Sequence, residues 1–180
     1  MHESLTYQFL DCDFVQALLV ARKNRLVYVS LGRNKATLLK GAQETFKKLG
    51  KAKKIDYYLL KDSKHSMDIM CEQYMQLLDG KKAPELEYEY MFGTDFQKKV
   101  WDQLVKIPSG TVKTYSEIAK EVGSSNSCRA VGRACGENKL AVLVPCHSVV
   151  GSSGKDLVGY RWGIDVKKRL LEREGVHIYK

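Results

Sequence analysis

The chain has 180 residues, 44% of them hydrophobic and 28% charged, with only 3 Pro; this composition fits one folded domain or two small ones and excludes a disordered chain. No apolar run approaches the roughly 20 residues that cross a bilayer, and Met1-His2-Glu3-Ser4 opens no secretory signal pattern. The formal net charge is +9, divided as +3 over residues 1–90 and +6 over 91–180; the surplus favours a polyanionic partner, although a merely basic enzyme surface carries it as well.

Residues 7–10 and 14–20 predict two strands separated by Asp11-Cys12-Asp13, and residues 25–31 a third, entered through a turn at Lys23-Asn24. Residues 34–49 have helical periodicity and end at Gly50, followed by the basic run Lys51-Ala52-Lys53-Lys54; residues 66–78 predict a second helix, closed by Asp79-Gly80. The first half therefore predicts a small antiparallel sheet with covering helices. A linker is expected around Pro84, between domains spanning 1–88 and 89–180.

The second half changes to a helical pattern. Thr94-Asp95-Phe96-Gln97 and Thr114-Tyr115-Ser116-Glu117 both fit capping boxes, in which hydroxyl and side-chain carbonyl satisfy reciprocal backbone donors. The second opens a short helix that Gly123-Ser124-Ser125 breaks. A further helix starts near Asn126-Ser127 and carries Arg129, Ala130, Gly132, Arg133, Ala134 and Cys135. Two short helices joined by a glycine turn outline a helix-turn-helix. Packing alone would equally explain the small residues, so a plain helical hairpin stands as the alternative.

The five cysteines, at 12, 71, 128, 135 and 146, are odd in number and lack framework spacing, so reduced thiols are expected. Cys146 follows an apolar run ending at Pro145 and precedes His147. A thiolate is the reactive form of cysteine, and an imidazole nearby is a common means of generating it. A buried thiol beside a structural histidine is the alternative. Cys12, His65 and Cys71 lack paired metal-ligand spacing, so no metal is expected.

Pro145-Cys146-His147-Ser148-Val149 closely resembles the active-site motif of the O6-alkylguanine-DNA alkyltransferases, or methylated-DNA–protein-cysteine methyltransferases. The resemblance extends through 96–101, Thr114-Tyr115, 129–132, Asn138, Gly159-Tyr160 and 167–175, and so covers about 90–175. It implies an α/β (α+β) architecture, with a ribonuclease-H-like N-terminal domain before the helix-turn-helix domain. It also implies a self-inactivating DNA repair activity that needs no cofactor. O6-Methylguanine is the chief expected substrate and O4-methylthymine a further one.

Carried over residue by residue, the resemblance makes Cys146 the alkyl acceptor, His147 its base through water, and Glu174 the carboxylate that orients the imidazole. Asn138 braces the nucleophile loop and Tyr115 contacts the flipped base. Gln97, Ser116, Ser124, Arg129 and Ser152 match DNA-binding positions, Arg129 filling the gap left in the stack. Val149, Tyr160, Arg161 and Trp162 line the base pocket, and the carbonyls of Cys146 and Val149 accept from the guanine amine. Duplex DNA with alkylated guanine is the expected partner, the protein being monomeric and nuclear if eukaryotic, otherwise cytoplasmic.

Ser148 departs from the arginine usual after the Cys-His pair, which bears on loop rigidity. Arg161-Trp162 is bulkier than in some relatives, which predicts a pocket favouring methyl over benzyl adducts. A lesion sensor without alkyl transfer, a cysteine hydrolase and a transcription regulator are the competing readings.

Overall fold

A computed structural model of the chain describes residues 1–124, 126–151, 157 and 159–177; Ser152 lies outside them. The chain forms two compact units: 1–75 with 83–92, and 76–82 with everything from Gly93 onward.

The first unit is built on strands β1 (His2–Asp11), β2 (Gln16–Arg22) and β3 (Arg25–Gly32), helix α1 (Lys35–Lys53), strand β4 (Asp56–Lys61) and most of helix α2 (Asp68–Leu78). The sheet order is β3-β2-β1-β4, antiparallel from β1 to β3, with β4 parallel to β1. Lys23 and Asn24 both take positive φ, 48° and 66°, the conformation a tight two-residue hairpin demands. The five central residues of β2 are all buried, as expected of a strand covered on both faces.

Strand β4 was absent from the sequence expectation. It sits at the sheet edge, and although its burial alternates, the exposed positions carry Tyr58 and Leu60, so Tyr57-Tyr58-Leu59-Leu60 shows no alternation of apolar and polar residues. Asn34 caps α1 by accepting from the Thr37 amide at 2.9 Å. The helix runs through Lys51 and Lys53, part of the basic run placed beyond it in the sequence reading. Its apolar face seats Phe46 against Tyr28 and Phe92, with ring centroids 5.6 and 5.2 Å away.

The second unit carries helices α3 (Asp95–Val105), α4 (Tyr115–Glu121), α5 (Cys128–Gly136) and α6 (Ile164–Arg173). Two short strands, β5 (Lys113–Thr114) and β6 (Val149–Val150), pair in parallel. Both capping boxes form: Gln97 N donates to Thr94 Oγ1 and Glu117 N to Thr114 Oγ1, each at 3.1 Å, while Gln97 and Glu117 accept in return. Trp101 on α3 is buried and donates its indole N–H to the Ala134 carbonyl of α5 at 2.8 Å. Gly93 precedes α3 at φ 103°, where a Cβ would lie 2.5 Å from the Trp101 ring, so both conformation and space demand glycine. Ile118, Ala119 and Val122 from the α4 segment are buried with Val131, Ala134 and Cys135 of α5, giving the helix-turn-helix pair its shared core. Its outer side presents Arg129, Ala130 and Arg133.

Candidate functional site

The loop leaving α5 is drawn into a tight coil by one side chain. Asn138 is buried; its Nδ2 donates to the Val144 carbonyl at 3.1 Å and reaches Cys146 Sγ at 3.5 Å, while Oδ1 accepts from the Leu140 amide at 2.8 Å. Val144 N to Leu140 O (3.0 Å) and Cys146 N to Val144 O (2.7 Å) continue the coil. Val142 pays for this with φ 70°, an unfavourable conformation for a β-branched residue. The outcome is a single 3₁₀ turn, Cys146–Ser148, that enters β6 directly.

Pairing of β6 with β5 lays this turn beside the start of α4, where Tyr115 stands. Burial raises the Tyr115 phenol well above its usual range, with the Cys135 and Cys146 sulfurs adding to the effect, so it remains a proton donor at neutral pH. Val149 N donates to the Cys146 carbonyl, and Lys167 Nζ donates to the Val149 carbonyl at 2.6 Å. The two carbonyls that the resemblance assigns to guanine recognition thus each accept from a donor within the protein.

Cys146 is 3% exposed and His147 1%. His147 Nε2 lies 2.6 Å from Glu174 Oε2, and the Gly110 amide donates to Glu174 Oε1 at 2.9 Å. Burial alone would raise the Glu174 carboxyl, but the His147 contact and the Gly110 bond outweigh it and hold the group below its usual value. With Glu174 ionised, the Nε2 position facing it is the one that donates, which leaves Nδ1 as the second ring nitrogen. Nδ1 is buried and has no hydrogen-bond partner among the described residues. The ring is thus held on one side by Glu174, with its other nitrogen turned into the protein interior.

Burial pushes the Cys146 thiol well above its ordinary value, and a hydrogen bond with Cys135 adds to this. The Asn138 donor and the Lys167 charge only partly offset it. The resting sulfur is therefore a thiol, not the pre-formed thiolate that a neighbouring imidazole suggests, and it needs a base at the moment of reaction.

The remaining sequence-selected residues divide among several places. Ser116 and Arg129 are exposed on the helix pair, and Ser124 is half-buried in the turn between α4 and α5. Gln97 spends its carbonyl oxygen on the Thr94 amide at 3.0 Å. Tyr160 and Trp162 are half-buried with rings at 5.3 Å, whereas Arg161 is exposed and donates to the Gly136 carbonyl at 2.9 Å, with its guanidinium over Trp162. Ser148 is buried, in a loop held by Asn138 and Lys167.

Two neighbours of the sulfur escaped the sequence reading. Lys167 is 0% exposed and donates to Val149 O and Gly159 O; burial lowers it to about 8, with the Cys135 and Cys146 sulfurs opposing that shift. Its signal was its position: with Val166, Leu170 and Leu171 it lies on the buried face of α6. Cys135, in the last turn of α5, read only as a small core residue. Among the described residues there is no group of three His, Cys, Asp or Glu side chains placed to hold a metal.

Comparison with known proteins bears on the whole chain. Residues 95–176 match the family model described as 6-O-methylguanine DNA methyltransferase, DNA binding domain. A methylated-DNA–protein-cysteine methyltransferase from Candida glabrata is 43% identical over 186 residues, covering 98% of this chain and 88% of that protein. One from Saccharomyces cerevisiae is 40% identical, with 97% and 95% covered. A Mycobacterium tuberculosis OGT crystallised in complex with DNA superposes with TM-score 0.72 at 29% identity, over 94% of this chain and 93% of that one. An O6-methylguanine-DNA methyltransferase from Pyrococcus kodakaraensis gives TM-score 0.71 at 28% identity, over 96% and 99%. With relatives this similar from end to end, the chain belongs to the methylated-DNA–protein-cysteine methyltransferase family.

Proposed function

We propose that this protein repairs DNA by accepting the alkyl group of O6-alkylguanine, chiefly methyl and also that of O4-methylthymine, on Cys146, once per molecule. The observation that carries the reading is the chain Cys146, His147, Glu174. It sets a thiol next in sequence to an imidazole whose second nitrogen is held by an ionised carboxylate.

A base within a duplex cannot bring O6 to a buried sulfur, so the nucleotide is turned out of the stack. Arg129, exposed at the start of α5, takes the vacated place, and Gln97, Ser116, Ser124 and Ser152 hold the backbone. The small Ala130 and Gly132 let the helix approach the groove closely. The lesioned base is received by Tyr115, Val149, Tyr160, Arg161 and Trp162.

His147 Nδ1 takes the Cys146 proton through one water, and Glu174 stabilises the imidazolium. The Sγ lone pair attacks the alkyl carbon, the S–C bond forms and the C–O6 bond breaks. The electron pair leaves on guanine, which the protonated Tyr115 serves by donating as negative charge develops. The thioether has no route back, so the protein is spent.

Residues 1–88 act as a supporting domain and 89–180 as the DNA-binding and transfer domain. The two methylated-DNA–protein-cysteine methyltransferases compared over the full chain come from yeasts, and a nuclear, monomeric protein fits a repair role on chromosomal DNA. The test is intact mass after incubation with a duplex containing O6-methylguanine. Wild type gains one methyl and no more, and Cys146→Ala gains none. Multiple turnovers would point to a hydrolase, and tight lesion binding without mass gain to a sensor.

A further inference from the structure

Glu174 stands where three turns of the second unit meet. It closes α6: Val176 N donates to the Leu171 carbonyl at 2.8 Å and Gly175 N to the Glu172 carbonyl at 3.0 Å, which holds the backbone beyond it. The second turn closes α2, where Lys81 N donates to the Gln76 carbonyl at 2.8 Å and Gly80 N to the Leu77 carbonyl at 3.0 Å, with Gly80 at φ 80°. The third spans 108–111 and is closed by Thr111 N on the Pro108 carbonyl at 3.1 Å.

The turns are joined to one another. Ser109 Oγ donates to Gly80 O at 2.7 Å, and Gly110 N to Glu174 Oε1 at 2.9 Å. Arg173 meets Asp79 Oδ1 at 3.0 Å, an ion pair open to water and therefore weak. A Cβ on Gly80 would press on the Arg173 carbonyl oxygen, 2.6 Å from its carbon and 3.0 Å from Glu174 N; one on Gly110 would lie 3.1 Å from Glu174 O. A helix cap asks only for a positive φ, which asparagine also adopts. The Arg173–Glu174 backbone against Gly80 adds a demand of its own, since it leaves no room for any side chain.

We propose that Gly80 and Ser109 are positioning residues for alkyl transfer: the turns they tie together set the Glu174 backbone at the place from which its carboxylate reaches His147. This rests on the Cys146, His147, Glu174 reading above. With the backbone set by Gly80 and Oε1 held by Gly110 N, Oε2 is left 2.6 Å from His147 Nε2. An alanine at position 80 meets backbone rather than a flexible side-chain tip, so the Arg173–Glu174 peptide must move. A displacement of about 1 Å stretches a 2.6 Å hydrogen bond beyond its range, and a misplacement of that size costs about 10²-fold in rate. Loss of the single Ser109 bond is worth about fivefold.

The experiment measures single-turnover methyl transfer at saturating lesion duplex in Gly80→Ala, Gly80→Asn, Ser109→Ala and Ser109→Thr, each alone and combined with Glu174→Gln. Urea unfolding gives the folded fraction, and imidazole nitrogen NMR shifts report on the His147 ring. Both Gly80 variants should slow transfer about 10²-fold, asparagine included although it suits the cap. Ser109→Ala should slow it about fivefold, and Ser109→Thr, which keeps the hydroxyl, should stay within about twofold of wild type. In the Glu174→Gln background none should slow transfer further, because the group they position is gone. The His147 shifts in Gly80→Ala and Ser109→Ala should move toward those of Glu174→Gln.

Folded Gly80→Ala and Ser109→Ala proteins that transfer at the wild-type rate overturn the proposal. So does a loss that recurs in full in the Glu174→Gln background, which marks a general structural defect. Should Gly80→Ala fail to fold, Ser109→Ala and Ser109→Thr decide by the same criteria. A wild type that accepts no methyl, while its His147 shifts respond to Ser109→Ala, overturns the acceptor reading and leaves the positioning role standing; methyl acceptance with no response to Ser109→Ala or Gly80→Ala does the reverse.

Discussion

Replacing Glu174 by Gln isolates the charge on the imidazole with little change of volume. The carboxylate is 8% exposed and lies 2.6 Å from a ring that is 1% exposed, so water screens the pair weakly. The amide keeps an acceptor for the Gly110 N–H, now bonded at 2.9 Å. Toward His147 it offers either a neutral carbonyl or an NH₂ group. The first loses the charge that stabilises the imidazolium; the second forces the proton onto Nδ1 and abolishes the base. A hydrogen bond to a charged group contributes about 1.5–3 kcal/mol and a neutral one about 1 kcal/mol, so folding stability should fall by about 1–2 kcal/mol. The transfer rate should fall much further, by about 10²–10⁴-fold, as expected when the carboxylate of a catalytic triad is neutralised. Rapid-quench methyl transfer at saturating lesion duplex, read by mass, gives the rate, and urea unfolding gives the stability. A rate within twofold of wild type in a folded E174Q protein would refute the assignment of Nδ1 as the base.

Asn138→Ala removes the donors to Val144 O and Cys146 Sγ and the acceptor of Leu140 N, so the buried Leu140 amide loses its partner while Val144 O keeps the bond from Cys146 N; a loss of about 1–3 kcal/mol in urea unfolding is expected, with slower transfer. Arg129 is exposed, so Arg129→Ala should shift stability by under about 0.5 kcal/mol. It should slow repair of duplex DNA while leaving alkyl transfer from the free base unchanged, and equal loss on both substrates would remove Arg129 from base flipping. In the first unit, burial would raise Asp62, but bonds from Met67 N, Gln8 Nε2 and Ser66 bring it down to about 2. A depressed carboxylate stabilises the fold above its unfolded pKa, and that contribution vanishes as pH falls through the folded one. Wild type should therefore exceed Asp62→Asn by about 2 kcal/mol at pH 7, the gap closing between about pH 4 and 2 in acid titrations. Lys167→Met strips a buried donor from Val149 O and Gly159 O; slower transfer with unaltered duplex affinity is expected, measured by single-turnover rates beside binding isotherms.

The elements most legible in the sequence were those with local chemistry. Thr94/Gln97 and Thr114/Glu117 announce helix starts because a capping box is complete within four residues. Lys23-Asn24 announces a hairpin for the same reason. Strand β4 escaped because its pairing with β1 spans more than fifty residues and its outer face is wet. In the site, the Cys146-His147 pair is visible as neighbours, but the Glu174 contact crosses 27 positions and came only through family likeness. Lys167 reaches the nucleophile loop through packing of α6 against the Cys146–Ser148 turn, which no local pattern encodes. Nor does the sequence disclose the resting protonation of Cys146, since burial in the folded coil raises it.

The most direct measurement is the location of the methyl group after a single exposure to a duplex carrying O6-methylguanine, read by peptide mapping across all five cysteines. The account predicts S-methylcysteine at position 146, in proportion to guanine restored, with Cys12, Cys71, Cys128 and Cys135 unmodified. A methyl on any of those four, or restored guanine with Cys146 still a free thiol, would contradict it.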